Sequence, residues 1–171
     1  GAIAMASRSG CRAGTPTGIA SLVVAPAAGA SSEDDERVIG VSLGGALVAW
    51  SLGASRGHAD VIQGTHRDGA GTVAASWDGR LVATGGADSC IRVWDGVLAA
   101  SASNHPVMAP LRGPHGAAIT AVAFIDGPAA NAASGSASVA GLVSASADGS
   151  LALWRLDRGD ASHSAGGLAG A

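Results

Sequence analysis

The sequence predicts an all-β chain made of repeated antiparallel sheets, and three observations carry that reading. From Ser76 to Asp95 it reads SWDGRLVATGGADSCIRVWD, with Leu81 and Ala83 alternating with Val82 and Thr84, and Ile91 and Val93 with Arg92 and Trp94. A period of two marks a half-buried strand. Turn residues separate the runs: Gly85-Gly86-Ala87-Asp88 lies between these two, and Asp78-Gly79 divides Val73-Ala74-Ala75 from Leu81-Val82-Ala83, as in a tight hairpin. The pattern then returns. Asp88 stands six residues and Thr84 ten residues before Trp94, and Asp148 and Ser144 stand at the same distances before Trp154.

Taken in order, residues 1–14 are rich in Gly, Ala and Ser and are expected to be irregular. A first unit follows, with strands expected at Ile19 to Val24, Arg37 to Ser42 and Ala46 to Trp50, and an outer strand at Ala59 to Gly64. It keeps the closing Trp but has Gly44 at the Asp position, Gly40 at the hydroxyl position and Thr15 at the His position. Its first two strands are separated by Ala27 to Glu36, a loop ending in Ser31-Ser32-Glu33-Asp34-Asp35-Glu36. That run is a solvated acidic loop or, at Ser32, a site for an acidophilic kinase, where a phosphate would add to the charge.

The second unit runs from His66 to Trp94, and Pro106 and Pro110 bracket Val107-Met108 where its outer strand should lie. Proline belongs on sheet edges, where no ladder N–H is needed. The third unit opens at Ala118 to Phe124 and resumes at Leu142 to Ala145 and Leu151 to Trp154. A loop beginning at Pro128, PAANAASGSASVAG, explains why His115 lies further from its Trp than His66 does. After Asp157 only RGDASHSAGGLAGA remains, a low-complexity tail expected to supply no final strand.

Three strands closed by Trp-Asp and preceded by a His resemble the WD40 repeat, one blade of a β-propeller. The resemblance implies a partial β-propeller, an open arc of about three four-stranded antiparallel WD40 blades at about 15–64, 65–113 and 114–157, flanked by segments 1–14 and 158–171. Propellers close with about 4 to 8 blades of about 40 to 45 residues each. Three repeats therefore read as a piece of a longer protein or as an arc whose end sheets lack neighbours.

Composition narrows the function classes. The net charge of −3 gives no general basic footprint for nucleic acid. The abundance of Ala and Gly, with no Tyr and one Phe, has the look of a G/C-rich coding sequence rather than of disorder. Cys11 and Cys90 make no disulfide framework, and Cys90 falls on a predicted strand as a small buried thiol. No apolar run reaches the roughly 18 residues of a membrane span, and Arg8 and Arg12 make only a faint signal-peptide start. The reading is an intracellular protein, cytoplasmic or nuclear.

A hydroxyl, an imidazole and a carboxylate are the parts of a nucleophilic triad. Their recurrence argues against catalysis, because a catalytic constellation is needed once. The resemblance implies that His66, Thr84, Asp88 and Trp94, and again His115, Ser144, Asp148 and Trp154, are structural tetrads in which Asp accepts from the His ring, the His meets the hydroxyl and the hydroxyl meets the indole N–H. Such a network satisfies polar groups whose burial unpaired costs about 1 to 3 kcal/mol each. The first unit, with only its Trp, is expected to be the least stable.

The sequence has no Gly-rich phosphate loop followed by Lys and no GxSxG elbow; His58, His66, His105, His115 and His163 are too scattered for a zinc site. No metal, cofactor or enzymatic activity is expected, and Arg158-Gly159-Asp160 is taken as accidental. Relatives of this kind present a platform to other proteins, but the positions that would face a partner here, Gly69, Gly71, Ala87, Ala118, Thr120 and Ala147, include no aromatic or Arg anchor. Trp77 lies off the repeat register, either folded on its own blade or exposed as an interface anchor.

The expected function is a non-catalytic protein-interaction scaffold whose partners are other proteins, with no membrane and no small-molecule substrate. An alternative is a WD-repeat component of a ribonucleoprotein involved in ribosomal RNA processing, since DGRLVATGGADSCIRVWD and IASLVV resemble that kind of subunit. RNA would then be met only as part of a complex, with Arg67, Arg92 and Arg155 as the first candidates for contact.

Overall fold

The computed structural model describes residues 18–26, 36–52, 59–62, 65–96, 106–126, 139–156 and 165–168. These residues hold strands β1 (Ile19–Pro26), β2 (Glu36–Ser42), β3 (Leu47–Ser51), β4 (Ala59–Ile62), β5 (Ala70–Ala75), β6 (Leu81–Gly86), β7 (Ile91–Asp95), β8 (Ile119–Asp126), β9 (Val139–Ser146), β10 (Leu151–Arg155) and β11 (Ala165–Leu168). They form three antiparallel sheets ordered β1-β2-β3-β4, β5-β6-β7 and β8-β9-β10-β11. Each sheet is one blade, its strands following one another in chain order as hairpin turns require. Strand β5 packs against β1 on one side and β8 on the other, which lines up the first strands of successive blades.

Register decides which residues face which neighbour. In blade two Ala75, Val82 and Trp94 lie opposite one another across the sheet, and so do Ala74, Ala83 and Val93. Directly opposed residues share a face and successive rows alternate between faces. The first row turns toward blade one, where Val73, Val82 and Trp94 join Ile39, Val41, Leu47 and Ala49 in one core. The second turns toward blade three, where Ala83, Ile91 and Val93 join Val122, Leu142, Ala152 and Trp154 in another. Every blade thus has a front carrying its Trp and a back carrying the alternate rows, and the front of one covers the back of the blade before.

Two departures from the sequence reading have backbone causes. The fourth strand of blade two is broken: Leu111 exchanges both backbone hydrogen bonds with Ile91, and the Val107 N–H donates to the Val93 carbonyl. Pro106 and Pro110 remove the donors a continuous ladder would need. The tail, in contrast, does supply a final strand to blade three, since Leu151 to Trp154 pair with Leu168 to Ala165. Four backbone residues suffice for that pairing, whatever their side chains.

Thr15, Ser32, Cys11, His58, His105, His163 and Arg158-Gly159-Asp160 lie outside the described residues. Among the described residues, no helix is long and apolar enough to cross a membrane.

Candidate functional site

In blade two, the turn after β6 carries Asp88, β6 itself carries Thr84, β7 carries Trp94, and His66 arrives on the segment leading into β5. His66 Nδ1 lies 2.8 Å from Asp88 Oδ1, His66 Nε2 lies 2.8 Å from Thr84 Oγ1, and the Trp94 indole N–H donates to the same hydroxyl oxygen at 3.0 Å. One proton arrangement satisfies the whole chain. Nδ1–H donates to the carboxylate, the Thr84 O–H donates to Nε2, and the hydroxyl oxygen accepts from the indole. His66, Thr84 and Trp94 are buried, so each of these bonds replaces hydration the groups have lost.

Two further residues complete this corner, and neither is visible in the repeat spacing. Arg92 Nη1 donates to Asp88 Oδ2 at 2.9 Å and lies 2.6 Å from His66 Nδ1. Gly86 is the second: a Cβ there would run into the His66 ring and the Asp88 carboxylate, so the bond forms only because β6 ends without a side chain. Burial, against the pull of the Asp88 carboxylate, lowers the His66 pKa and keeps the ring neutral. Burial alone would raise Asp88, but hydrogen bonds from His66 and Arg92 outweigh it and bring the carboxyl to about 2. Cys90 is buried, its thiol donating to the Asp88 carbonyl at 3.1 Å. Desolvation and the Asp88 carboxylate push that thiol up, away from the reactive thiolate.

Blade three repeats the inner half of this chain and changes the outer half. His115 Nε2 lies 2.7 Å from Ser144 Oγ, which accepts from the Trp154 indole N–H at 2.8 Å. His115 Nδ1 meets Ser150 Oγ at 2.6 Å, and Ser150 donates to Asp148 Oδ1 at 2.5 Å. Asp148 therefore acts on His115 through an intervening hydroxyl, a residue that counting four positions does not reveal. The Ser150 hydroxyl, with the Gly116 and Ser150 backbone N–H groups, holds the Asp148 carboxyl below the usual carboxylate range.

Blade one has the Trp alone. Trp50 is half-buried, and its indole N–H has no hydrogen-bond partner among the described residues. Gly40 stands where the hydroxyl is elsewhere, and the six-membered ring of Trp50 packs close over it: a Cβ at Gly40 would lie 3.2 Å from Cζ3.

The remaining candidates fall at three separate places. Trp77 sits in the β5–β6 turn and is 54 % exposed. Its turn is held by Ser76 Oγ donating to Asp78 Oδ1 at 2.7 Å and accepting from the Leu81 N–H at 2.9 Å. Arg67 is exposed beside the Asp88 turn and Arg155 is exposed at the end of β10, whereas Arg92 is tied to Asp88. No group of three or more His, Cys, Asp or Glu among the described residues could hold a metal ion.

Comparison with known proteins follows the same lines. Residues 56–95, the span of blade two's repeat, match the family model described as WD domain, G-beta repeat. The chain is similar to the structure of U3-55K, with 23 % identity and a TM-score of 0.64 over 92 % of this chain and 41 % of that one. It is similar also to the crystal structure of the RRP9 WD40 repeats, at 23 % identity and TM-score 0.59 over 84 % of this chain and 37 % of the other. A third likeness is to the crystal structure of the WD40 β-propeller domain of Doa1, at 21 % identity and TM-score 0.58 over 83 % and 39 %. The chain thus spans about two fifths of the length of each of these structures. No curated protein sequence matches it. With the matched repeat in its middle sheet, like sheets stacked on either side and propellers as its structural neighbours, the chain carries a WD repeat in blade two and has the fold of an open partial β-propeller.

Proposed function

We propose that this chain is a non-catalytic protein-interaction scaffold and that its two polar quartets are structural. One observation carries the reading: His66, Thr84 and Trp94, like His115, Ser144 and Trp154, are buried and hydrogen-bonded to one another. A hydroxyl that accepts from an indole and donates to an imidazole inside a core has no path to a substrate. What remains for recognition is the exposed surface, and Trp77 is its large aromatic, of the type that anchors interfaces.

The test is affinity capture by the intact chain beside its Trp77→Ala variant. Loss of the captured protein with unchanged thermal unfolding supports Trp77 as the anchor; equal capture by both removes it. Hydrolysis of a generic ester by the purified chain would overturn the non-catalytic reading.

The second reading, a ribonucleoprotein component involved in ribosomal RNA processing, is supported by the run from Asp78 to Asp95 and by the likeness in fold to U3-55K and RRP9. Exposed Arg67 and Arg155 are its candidate contacts, while Arg92 is committed to Asp88. RNA retained on the captured complex, and lost when Arg67 and Arg155 are replaced by Ala, would favour this reading over protein contact alone.

A further inference from the structure

Blade two has a neighbouring blade on each of its faces, so its end loops sit in surroundings that the described residues supply. Strand β6 runs from the Trp77 turn at one end of the sheet to the Asp88 turn at the other. At the Asp88 end, a leucine and two arginines project that the fold does not use. Leu43 is 57 % exposed at the tip of the β2–β3 turn. That turn is held by backbone: the Ser42 N–H donates to the Ala46 carbonyl, the Gly45 N–H to the Ser42 carbonyl and the Leu43 N–H to the Gly18 carbonyl. The bonds from the Gly86 N–H to the Cys90 carbonyl and from the Ser146 N–H to the Ser150 carbonyl mark the same turn in the other blades, and put Ala87 and Ala147 where blade one has Leu43.

The Leu43 turn leans on the segment leading into β5. The Thr65 N–H donates to the Gly45 carbonyl, and a Cβ at Gly69 would run into the Leu43 carbonyl. Arg67 lies in that segment, its side chain exposed and its backbone N–H donating to Asp88 Oδ2 at 3.4 Å. Arg112 reaches the same end from the outer edge, because Leu111 exchanges backbone hydrogen bonds with Ile91 and so sets the exposed Arg112 beside Cys90. Among the described residues neither guanidinium has an ion-pair partner, whereas Arg92 is paired with Asp88. Counting the exposed Asp68, this corner sets Arg67, Arg92 and Arg112 against Asp68 and Asp88, an excess of positive charge on a chain whose net charge is −3.

We infer that this corner docks an acidic segment of a partner protein, with carboxylates on Arg67 and Arg112 and an apolar side chain on Leu43. A guanidinium fork suits carboxylate and phosphate alike. Leu43 decides between them, since it offers contact area to an aliphatic or aromatic side chain and nothing to a sugar-phosphate backbone, which is held by charge and hydrogen bonds. The inference rests on the scaffold reading above but not on Trp77, which lies at the other end of β6.

The test is fluorescence anisotropy of a fluorescein-labelled peptide of repeated Glu-Glu-Leu, titrated with the intact chain, beside the same peptide with Gln for Glu and a short oligouridylate. Expected is saturable binding of the acidic peptide that weakens as salt is added, with the Gln peptide and the oligonucleotide each bound about tenfold less tightly. Replacing Arg67 and Arg112 together by Ala should weaken the acidic peptide about tenfold, as the loss of two exposed ion pairs would. Leu43→Ala should weaken it about threefold, and Trp77→Ala should leave it unchanged. All four side chains are exposed, so circular dichroism should remain that of the wild type. No binding of the acidic peptide, equal binding of the Gln peptide, or an affinity that the arginine pair does not move overturns the inference and leaves Trp77-dependent capture of a protein standing. Tighter binding of the oligonucleotide also overturns it, and gives the corner to RNA. Failure of the scaffold reading is seen separately, as a chain that captures no protein.

Discussion

Blades two and three bury the same three groups and differ at one link. In blade two the carboxylate of Asp88 receives the imidazole N–H directly; in blade three Asp148 holds Ser150, and Ser150 holds His115. The position two residues after the turn Asp decides this, being Cys90 in one blade and Ser150 in the other. A thiol is a weak donor and acceptor, so Cys90 turns to a carbonyl and leaves the ring to the carboxylate. The shared part is the dry part. Indole, hydroxyl and imidazole Nε2 are shut off from water, where an unpaired polar group is costly, whereas the outer imidazole nitrogen meets a partner that itself reaches solvent and can be served in more than one way.

The largest test of this comparison removes the indoles. Trp94→Ala and Trp154→Ala should each cost about 3 to 5 kcal/mol, as aromatic truncations in a packed core do. Trp50→Ala should cost clearly less, because that ring is half-buried and its N–H makes no bond among the described residues. Urea unfolding followed by circular dichroism measures all three. Equal costs would mean that blade one is held by its Trp as firmly as the others.

Next come the hydroxyls. Thr84→Val keeps the shape of the side chain but leaves His66 Nε2 and Trp94 Nε1 without their shared partner, and should cost about 2 to 3 kcal/mol. Ser144→Ala should cost a similar amount in blade three. If either is silent in urea unfolding, the corresponding quartet is ornamental and the strands are held by apolar packing alone.

Acid tests the blade-two corner by a smaller margin. The His66 pKa is lowered in the folded chain, so the unfolded chain binds the proton first, and stability falls as pH drops below about 6.5, the ordinary value for imidazole. Asp88 is lowered to about 2, so its contribution is present above the ordinary carboxyl value of about 3.9 and is lost as pH falls toward about 2. Thermal unfolding between pH 7 and pH 2 should therefore show two descending arms. Asp88→Asn should flatten the lower arm and deepen the upper one, because the amide oxygen can still accept from the ring but the carboxylate charge that pulls the His66 pKa up is gone. Unchanged slopes below pH 4 would show that the acid sensitivity lies in other carboxylates.

What could be read from the sequence was whatever side chains announce. Alternation placed β5, β6 and β7, the matched offsets placed hydroxyl, Asp and Trp, and Pro106 and Pro110 marked the broken edge of blade two. What escaped was work done by backbone or by absence. Strand β11 contains Gly166-Gly167, residues that carry no strand pattern, yet its backbone pairs with β10 as well as any other. Gly86 matters because nothing projects from it. Ser150 escaped because a quartet counted from the Trp has no fifth member, although a Ser two residues after a turn Asp is the signal that could have found it.

That fifth member gives the smallest test. Ser150→Ala removes the acceptor of the His115 Nδ1–H and the donor to Asp148, yet it should cost only about 1 kcal/mol. Asp148 is exposed and can rotate toward the ring, reproducing the direct bond that Asp88 makes in blade two. Proton NMR of the imidazole N–H distinguishes the outcomes: a retained downfield signal in the variant means that the carboxylate has closed the gap. A lost signal with a cost well above 1 kcal/mol would show that the serine is a fixed part of the blade-three network. The outer link would then be specified in each blade, and the contrast between Asp88 and Asp148 would reflect two separate designs.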